Sequence, residues 1–212
     1  MAALVLLAAG LFAAAAVSAR GSNEFAPAAN SDAQHKRFLP APKAGTLAAS
    51  AYSRARPRKQ MPIPVRLLVP AIRVNARIIP LGLNRDRTVQ VPRSFAAAGW
   101  FKPGPEPGER GAAVILGHVD SKRGPGVFYR LRALRRGDVI TIIVRTGSKI
   151  RFLVTGTKAV PKHRFPTKLI YRHSGGPGIR LITCDGRFDS STGHYVDNYV
   201  VFARQILRRR RH

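Results

Sequence analysis

The sequence predicts an all-β domain, either a barrel or a sandwich, with short helical insertions. Two observations lead to this prediction. From Pro62 onward the chain consists of short segments rich in β-branched residues and bounded by prolines, glycines or polar turns. Helical periodicity is weak along the same stretch, and only residues 128–135 carry a pattern that favours a helix. Strands are therefore expected to build the core.

Eight segments are candidate strands. In chain order they are residues 65–69, 74–79, 88–91, 112–118, 139–145, 149–158, 179–184 and 195–204. Segments 139–145 and 149–158 flank Thr-Gly-Ser at 146–148, which is typical of a hairpin turn. Trp100 and Phe101 stand between a glycine and a proline, and we expect them to plug a barrel rather than to bind a substrate.

Residues 1–19 contain no charged side chain. As a helix they would extend about 28 Å, close to the roughly 30 Å hydrocarbon core of a bilayer. Residues 17–19, Val-Ser-Ala, also resemble a signal-peptidase site. This pattern favours an export signal or a single membrane anchor over a buried core helix, and it leaves open which of the two is present.

The rest of the chain divides into three predicted parts. Residues 20–61 are rich in alanine, proline and basic residues without a persistent period, which is typical of a flexible linker. Residues 62–206 contain all the candidate strands and form the predicted folded domain. Residues 207–212 form a basic tail that we expect to be solvated.

The composition excludes several classes of protein. With 45% hydrophobic and 22% charged residues, the chain is not wholly disordered, collagen-like or a multi-span membrane protein. A formal net charge of +27 attracts polyanions such as nucleic acid, anionic lipid or an acidic wall polymer, although a basic surface without a dedicated site fits equally well. Aromatic residues are only 8% and show no cluster, which disfavours nucleic-acid binding. The single cysteine excludes an intrachain disulfide.

Two segments place a reactive side chain where a predicted strand gives way to a loop. They are Leu-Gly-His-Val-Asp, which contains His118, and Leu-Ile-Thr-Cys-Asp-Gly, which contains Cys184. A thiolate is a strong nucleophile, and an imidazole can take the thiol proton and later protonate a leaving amine. Cys184 could equally be a buried small hydrophobe and His118 a structural residue. His118 and Asp120 could be two metal ligands, but no third ligand follows at a suitable short spacing, so no metal is expected.

Taken together, these segments resemble the sortase family. The histidine side of the resemblance is carried by residues 116–120, 126–129 and 134–138, and the cysteine side by residues 181–189 and 192–203. The run Asp-Gly-Arg-Phe-Asp after the cysteine, with Thr-Gly shortly beyond it, is similar to the actinobacterial subgroup called class F, with class E next. The ordered set covers most of residues 62–206.

The resemblance implies a closed β-barrel of about eight strands with a groove at one end. It also implies cleavage of an LPXTG-like sorting signal between Thr and Gly, and transfer of the acyl chain to an amine on a cell-wall precursor or a pilin. On this interpretation Cys184 is the nucleophile and His118 the general acid and base, and no cofactor is needed. The expected location is the outer face of the cell membrane, anchored through residues 1–19 or secreted if they are cleaved, with no nucleic-acid partner.

The chain departs from the family pattern at the third catalytic position. Sortases carry an arginine on the strand after the cysteine, and the matching position here is close to Asn198, with Val196 as its neighbour on the same face. Arg187 could supply the missing cation, or Asn198 an uncharged hydrogen bond, although Arg187 could also be one more solvated arginine. Thr183 is expected to be structural, because it faces away from Cys184 on a regular strand.

A second class of function stays open at the level of sequence. The chain could be a non-catalytic basic β-domain that binds an anionic cell-wall polymer or lipid, with an inert thiol. Reactivity of the thiol toward an alkylating reagent separates this alternative from the enzyme. An L,D-transpeptidase is not favoured, because residues 181–184 do not provide the Ser-His-Gly-Cys type of motif expected of it.

Overall fold

The computed structural model describes residues 61–171 and 176–207. The predicted signal or anchor at 1–19, all but the last residue of the predicted linker at 20–61, and nearly all of the basic tail lie outside the described residues. Within the described part, no helix has both the length and the apolar character needed to span a bilayer.

The described chain is built mainly of strands. They are β1 (Pro64–Val69), β2 (Val74–Leu81), β3 (Ala98–Phe101), β4 (Gly111–Leu116), β5 (Asp120–Ser121), β6 (Gly124–Pro125), β7 (Val139–Val144), β8 (Lys149–Pro161), β9 (Pro177–Asp189) and β10 (His194–Gln205). The helical segments are short: α1 (Thr167–Tyr171) and the 3-10 turns Pro70–Ile72, Leu131–Ala133 and Lys162–Arg164.

Eight of these strands close into a barrel in the order β1-β2-β3-β4-β9-β10-β8-β7, which confirms the expected closed barrel. Closure gives every strand of the barrel two hydrogen-bonded neighbours and so leaves no open edge. Most neighbours are antiparallel, but β2–β3 and β4–β9 are parallel. Because β4 and β9 run in the same direction, their carboxyl ends lie at the same end of the barrel.

Apolar side chains pack on both sides of the sheet. One cluster draws residues from all eight barrel strands and fills the barrel, with Leu67, Ile115, Phe152 and Leu181 fully buried. A second cluster lies on the opposite face, where α1 covers strands β4, β9 and β10. Strand β4 and residues 178–183 of β9 are therefore buried on both faces, which explains why β4 is a continuous apolar run instead of an alternating one.

Most of the predicted strands are confirmed, but one is wrong. Residues 88–91 contribute only an isolated bridge between Leu83 and Val89, and the eighth barrel strand is β3. All four residues of β3 are buried, so the strand shows no alternation of apolar and polar side chains. Its Gly99 also allows β2 to approach closely, because a Cβ there would collide with the side chain of Leu81.

Three smaller predictions can also be compared with the structure. The turn at residues 146–148 is confirmed: Gly147 adopts φ +83° and its amide donates to the Val144 carbonyl at 2.8 Å. Trp100 and Phe101 are buried as expected, and the Trp100 indole donates to the Pro105 carbonyl at 3.2 Å. The helical pattern at 128–135 corresponds only to the 3-10 turn Leu131–Ala133.

Candidate active site

The parallel pair β4–β9 brings the two sequence-predicted chemical segments side by side. The last paired residues are Leu116 of β4 and Ile182 of β9, and His118 and Cys184 each follow two residues later. The two chains stay together beyond this point, because the Gly117 amide donates to the Ile182 carbonyl at 3.1 Å. Two segments that are 66 residues apart in the chain are thus adjacent at one end of the barrel.

Thr183 links these two segments by a side-chain hydrogen bond. Its hydroxyl donates to the Gly117 carbonyl at 2.8 Å, and the side chain is buried. The position of Thr183 on the face opposite to Cys184 agrees with the structural role expected from strand alternation. The hydrogen bond fixes the spacing between the end of β9 and the segment that carries His118.

His118 lies beyond the end of β4 and is held by contacts outside the sheet. The residue is only 6% exposed, and its ring packs against the Phe95 ring with centroids 4.3 Å apart and places Nε2 2.7 Å from the Pro92 carbonyl oxygen. A carbonyl oxygen can only accept, so Nε2 carries the proton in this contact. In the neutral ring the lone pair is then on Nδ1, which is the atom that can take up and return a proton.

The backbone around His118 is equally constrained. Its carbonyl accepts from the Phe128 amide at 2.9 Å, and the Gly126 amide donates to the Val119 carbonyl at 2.8 Å. A Cβ at Gly126 would lie 2.5 Å from the His118 carbonyl oxygen, so this close approach requires glycine. The loop 118–126 therefore has little freedom to move the histidine.

Cys184 is partly buried near the end of β9, and burial raises the pKa of its thiol. Lys162 acts in the opposite direction: its Nζ lies 3.6 Å from Sγ, and its charge and hydrogen bond lower the pKa. The carboxylates of Asp120 and Asp185 raise the pKa further. Since the balance is a raised pKa, the resting thiol holds its proton at neutral pH and needs a base in order to react.

Asn198 is the cross-strand partner of Cys184 in the antiparallel ladder β9–β10. Directly opposed residues share one face of a sheet, so the amide side chain lies beside the thiol. Asn198 is 0% exposed, and within the described structure neither its amide nitrogen nor its amide oxygen has a hydrogen-bond partner. Leaving a buried polar group unpaired costs about 1–3 kcal/mol. A carbonyl oxygen bound next to the Cys184 sulfur could accept a hydrogen bond from this amide and so remove that cost.

Arg187 is not brought to the sulfur. It is exposed on β9, and it lowers the pKa of Asp189, although hydrogen bonds from Ser191 contribute more to that shift. The charged groups that act on the pKa of Cys184 are Lys162, Asp120 and Asp185. The structure thus places Asn198 beside Cys184, puts the His118 segment next to the end of β9, and leaves Arg187 exposed.

Lys162 is the residue at this site that the sequence did not indicate. It begins the 3-10 turn Lys162–Arg164 that follows β8. In the sequence it belongs to a short basic run of the kind that is typical of a solvated loop. Its proximity to Cys184 depends on the strand order β9-β10-β8, which places Val160 beside Asn198 and Asn198 beside Cys184. No local pattern in the sequence predicts that Lys162 lies near Cys184.

Asp120 is occupied by a partner on another strand. The Tyr195 hydroxyl of β10 donates to Asp120 Oδ2 at 2.5 Å, and this hydrogen bond is the main reason that the pKa of Tyr195 rises to about 12. Phe188 packs edge-on against the Tyr195 ring with centroids 5.3 Å apart. The contact ties the histidine loop to the β9–β10 hairpin.

Within residues 61–171 and 176–207, no three His, Cys, Asp or Glu side chains converge on a point that could hold a metal ion.

Comparisons with known proteins identify the family and similar folds. The model of the family "Sortase domain" matches residues 67–206. The fold is similar to sortase C-1 from Actinomyces oris (TM-score 0.56, 20% identity, 81% of this chain and 89% of that one) and to a lid mutant of sortase A from Corynebacterium diphtheriae (0.55, 20%, 82% and 86%).

A third structure, "Sortase C1 of GBS Pilus Island 1", gives a TM-score of 0.52 at 18% identity over 70% of this chain, and the match spans 66% of that protein, just under two thirds. No curated protein sequence matches the chain. The family match covers well over half of the sequence, and the chain therefore belongs to the sortase family.

Proposed function

We propose that this protein is a cysteine transpeptidase with Cys184 as its nucleophile and His118 as its general acid and base. The observation that carries the proposal is the juxtaposition of the two segments at the carboxyl ends of the parallel strands β4 and β9. The sortase family match over residues 67–206 supports the same reaction class.

The first half of the reaction cleaves an amide. The Cys184 thiol gives its proton to His118 as the sulfur forms a bond to the scissile carbonyl carbon, and the negative charge moves to the carbonyl oxygen. Collapse of this intermediate breaks the C–N bond, and the imidazolium returns the proton to the leaving amine. The product is a thioester on Cys184. Because the pKa of the thiol is raised, proton removal is coupled to attack instead of preceding it.

The second half of the reaction transfers the acyl group. The nitrogen of an incoming amine attacks the thioester carbonyl and loses a proton to His118. The C–S bond then breaks, a new amide is released and the sulfur regains its proton from the imidazolium. Because His118 is buried and its Nε2 stays bonded to the Pro92 carbonyl, Nδ1 is the ring atom that takes and returns the proton in each transfer.

Asn198 is proposed as a hydrogen-bond donor to the carbonyl oxygen that becomes negative. Its buried, unpaired amide beside Cys184 supports this role, since a donor already in place needs no reorganisation during the reaction. Arg187 receives no role in this proposal, because its side chain is exposed to solvent.

The proposal extends to a substrate and a location. We propose cleavage of an LPXTG-like sorting signal between Thr and Gly, with an amine on a cell-wall precursor or a pilin as acceptor. The reaction then takes place at the outer face of the membrane, with residues 1–19 as anchor or export signal. The Asp-Gly-Arg-Phe-Asp run after Cys184 supports class F, with class E as the next candidate.

The test is acyl transfer by the purified full chain from a peptide containing Leu-Pro-Ala-Thr-Gly to triglycine, followed by mass spectrometry. Cys184→Ala should abolish the product, and His118→Ala should reduce its rate by about 10³-fold or more. His163→Ala, which removes an exposed histidine, is the matched control and should leave the rate unchanged.

Full turnover in Cys184→Ala or His118→Ala would contradict the proposal. An unreactive thiol together with no transfer by the unaltered chain would favour the basic binding domain instead.

A further inference from the structure

We infer that Lys162 is the catalytic cation of this site: its ammonium group stabilises the Cys184 thiolate as it forms and then the negative carbonyl oxygen. The inference rests on the proposed function for the second of these two steps. The first step concerns the sulfur alone and can be measured without a peptide substrate.

Strand order places Lys162 at the sulfur. Val160, Asn198 and Cys184 form one row across β8, β10 and β9. Lys162 lies two residues beyond Val160, directly after Pro161, the last residue of β8. Neighbouring strands are about 5 Å apart, so a side chain from β8 must pass over β10 to reach β9. A lysine is long enough to do this, and its Nζ lies 3.6 Å from Cys184 Sγ.

The other charged groups near the sulfur have partners of their own. Asp185 lies 3.4 Å from the Arg132 guanidinium, and Asp120 accepts the hydrogen bond of the Tyr195 hydroxyl. Lys162 Nζ instead donates to Sγ. Its charge therefore acts directly on the nucleophile and opposes the two carboxylates, which disfavour a thiolate.

The position of the ammonium suits both charged states of the reaction. As His118 takes the proton, negative charge develops on the sulfur and passes to the carbonyl oxygen bonded to the carbon that the sulfur attacks. Both atoms lie within one bond of that carbon, so a cation near Sγ is close to each. Partial burial strengthens the interaction, because less water screens it.

In the family pattern one arginine supplies both a positive charge and hydrogen-bond donors, and in this chain Lys162 and Asn198 supply them separately. A guanidinium combines a charge with several fixed donors, whereas an ammonium is a point charge on a flexible stem. In this chain the charge comes from the end of β8 and the fixed neutral donor from β10. This division explains how the site functions with asparagine near the family's arginine position.

The decisive experiment is alkylation of the full chain by iodoacetamide as a function of pH, with no peptide present. Within the part of the chain that the structure describes, Lys162, Asp120, Asp185 and Tyr195 interact electrostatically with Cys184, and His118 lies on the adjacent segment beyond β4. Of these, only Lys162 is altered. Lys162→Met should shift the alkylation midpoint upward by about one pH unit, a tenfold slower reaction near neutral pH. Lys162→Arg should restore most of the rate.

Lys158→Met is the matched control, since it removes an exposed lysine from β8, the strand that leads to Lys162, and its midpoint should match that of the unaltered chain. A midpoint in Lys162→Met equal to that of the control would overturn the inference, because a merely structural lysine would not move the thiol midpoint. In the transfer assay, Lys162→Met should lower the rate by about 10²-fold or more.

The two proposals can fail separately. If the unaltered chain alkylates with a midpoint that depends on Lys162 but transfers no peptide, the proposed function fails and the Lys162–Cys184 interaction stands. If transfer proceeds at full rate in Lys162→Met, the proposed function stands and the catalytic role of Lys162 fails.

Discussion

The cysteine side and the histidine side of the proposed active site are held in different ways. Cys184 and Asn198 lie within the regular β9–β10 ladder, so the register of hydrogen bonds fixes their positions. His118 lies past the end of β4 and depends on the Pro92 carbonyl and the Phe95 ring. Local changes in the histidine loop should therefore disable the base while leaving the nucleophile in place.

The largest expected effect comes from Gly126→Ala. A Cβ at this position would lie 2.5 Å from the His118 carbonyl oxygen, so the loop must move and carry the histidine with it. A displacement of about 1 Å in a catalytic group can cost 10²-fold in rate, and we expect a loss of that size in peptide transfer. Iodoacetamide alkylation of Cys184 should stay close to that of the unaltered chain.

Gly156→Ala is the control, because a Cβ there meets nothing within 4 Å. If Gly126→Ala kept full transfer activity, or lost alkylation and transfer together, the two sides would not be independent.

A smaller effect is expected from Thr183→Val, which removes the hydrogen bond that joins the two sides. The Gly117 carbonyl would lose its 2.8 Å partner in a buried position. We expect the free energy of unfolding to fall by about 1–3 kcal/mol, measured by urea denaturation. Thr183→Ser keeps the hydroxyl and should recover most of the loss, whereas an equal loss in both variants would assign the effect to packing.

The smallest effect is expected from Tyr195→Phe, which removes the contact between the β10 hairpin and Asp120. The pKa of Tyr195 is raised to about 12, so the folded state favours the protonated phenol. Its stabilising contribution is therefore complete below the ordinary phenol pKa of about 10 and is lost as the pH rises to about 12. The difference in unfolding free energy between the unaltered chain and Tyr195→Phe should shrink over that interval. A difference that stays constant to pH 12 would contradict this account.

Much of the fold could be predicted because most barrel strands carry a local signature. Segments 139–145 and 149–158 are rich in β-branched residues and enclose a turn with glycine at positive φ. Strand β3 could not be predicted in the same way. Its four residues are buried on every side and include Gly99, so neither alternation nor β propensity marks them. The short segment 88–91 has the better local pattern but pairs through a single bridge.

His118 and Cys184 could be predicted from the pattern of the sequence, and Asn198 only from the family resemblance. His118 and Cys184 were indicated because each ends an apolar run, and parallel pairing of β4 with β9 then brings the runs together. Arg187 was suggested by its closeness to Cys184 along the chain, but an extended strand carries it away into solvent. Lys162 reaches the sulfur across strands whose spatial order differs from their chain order, and no sequence pattern reports that order.

On the proposed mechanism, the acyl group is held for a time by a covalent bond to Cys184. The most direct measurement is the intact mass of the full chain after incubation with a Leu-Pro-Ala-Thr-Gly peptide in the absence of an amine, followed by proteolytic mapping. We predict a mass increase equal to the fragment ending in threonine, located on the peptide that contains Cys184 and absent from His118→Ala. Peptide cleavage with no adduct on that cysteine at any time, or an adduct at another residue, would contradict the account.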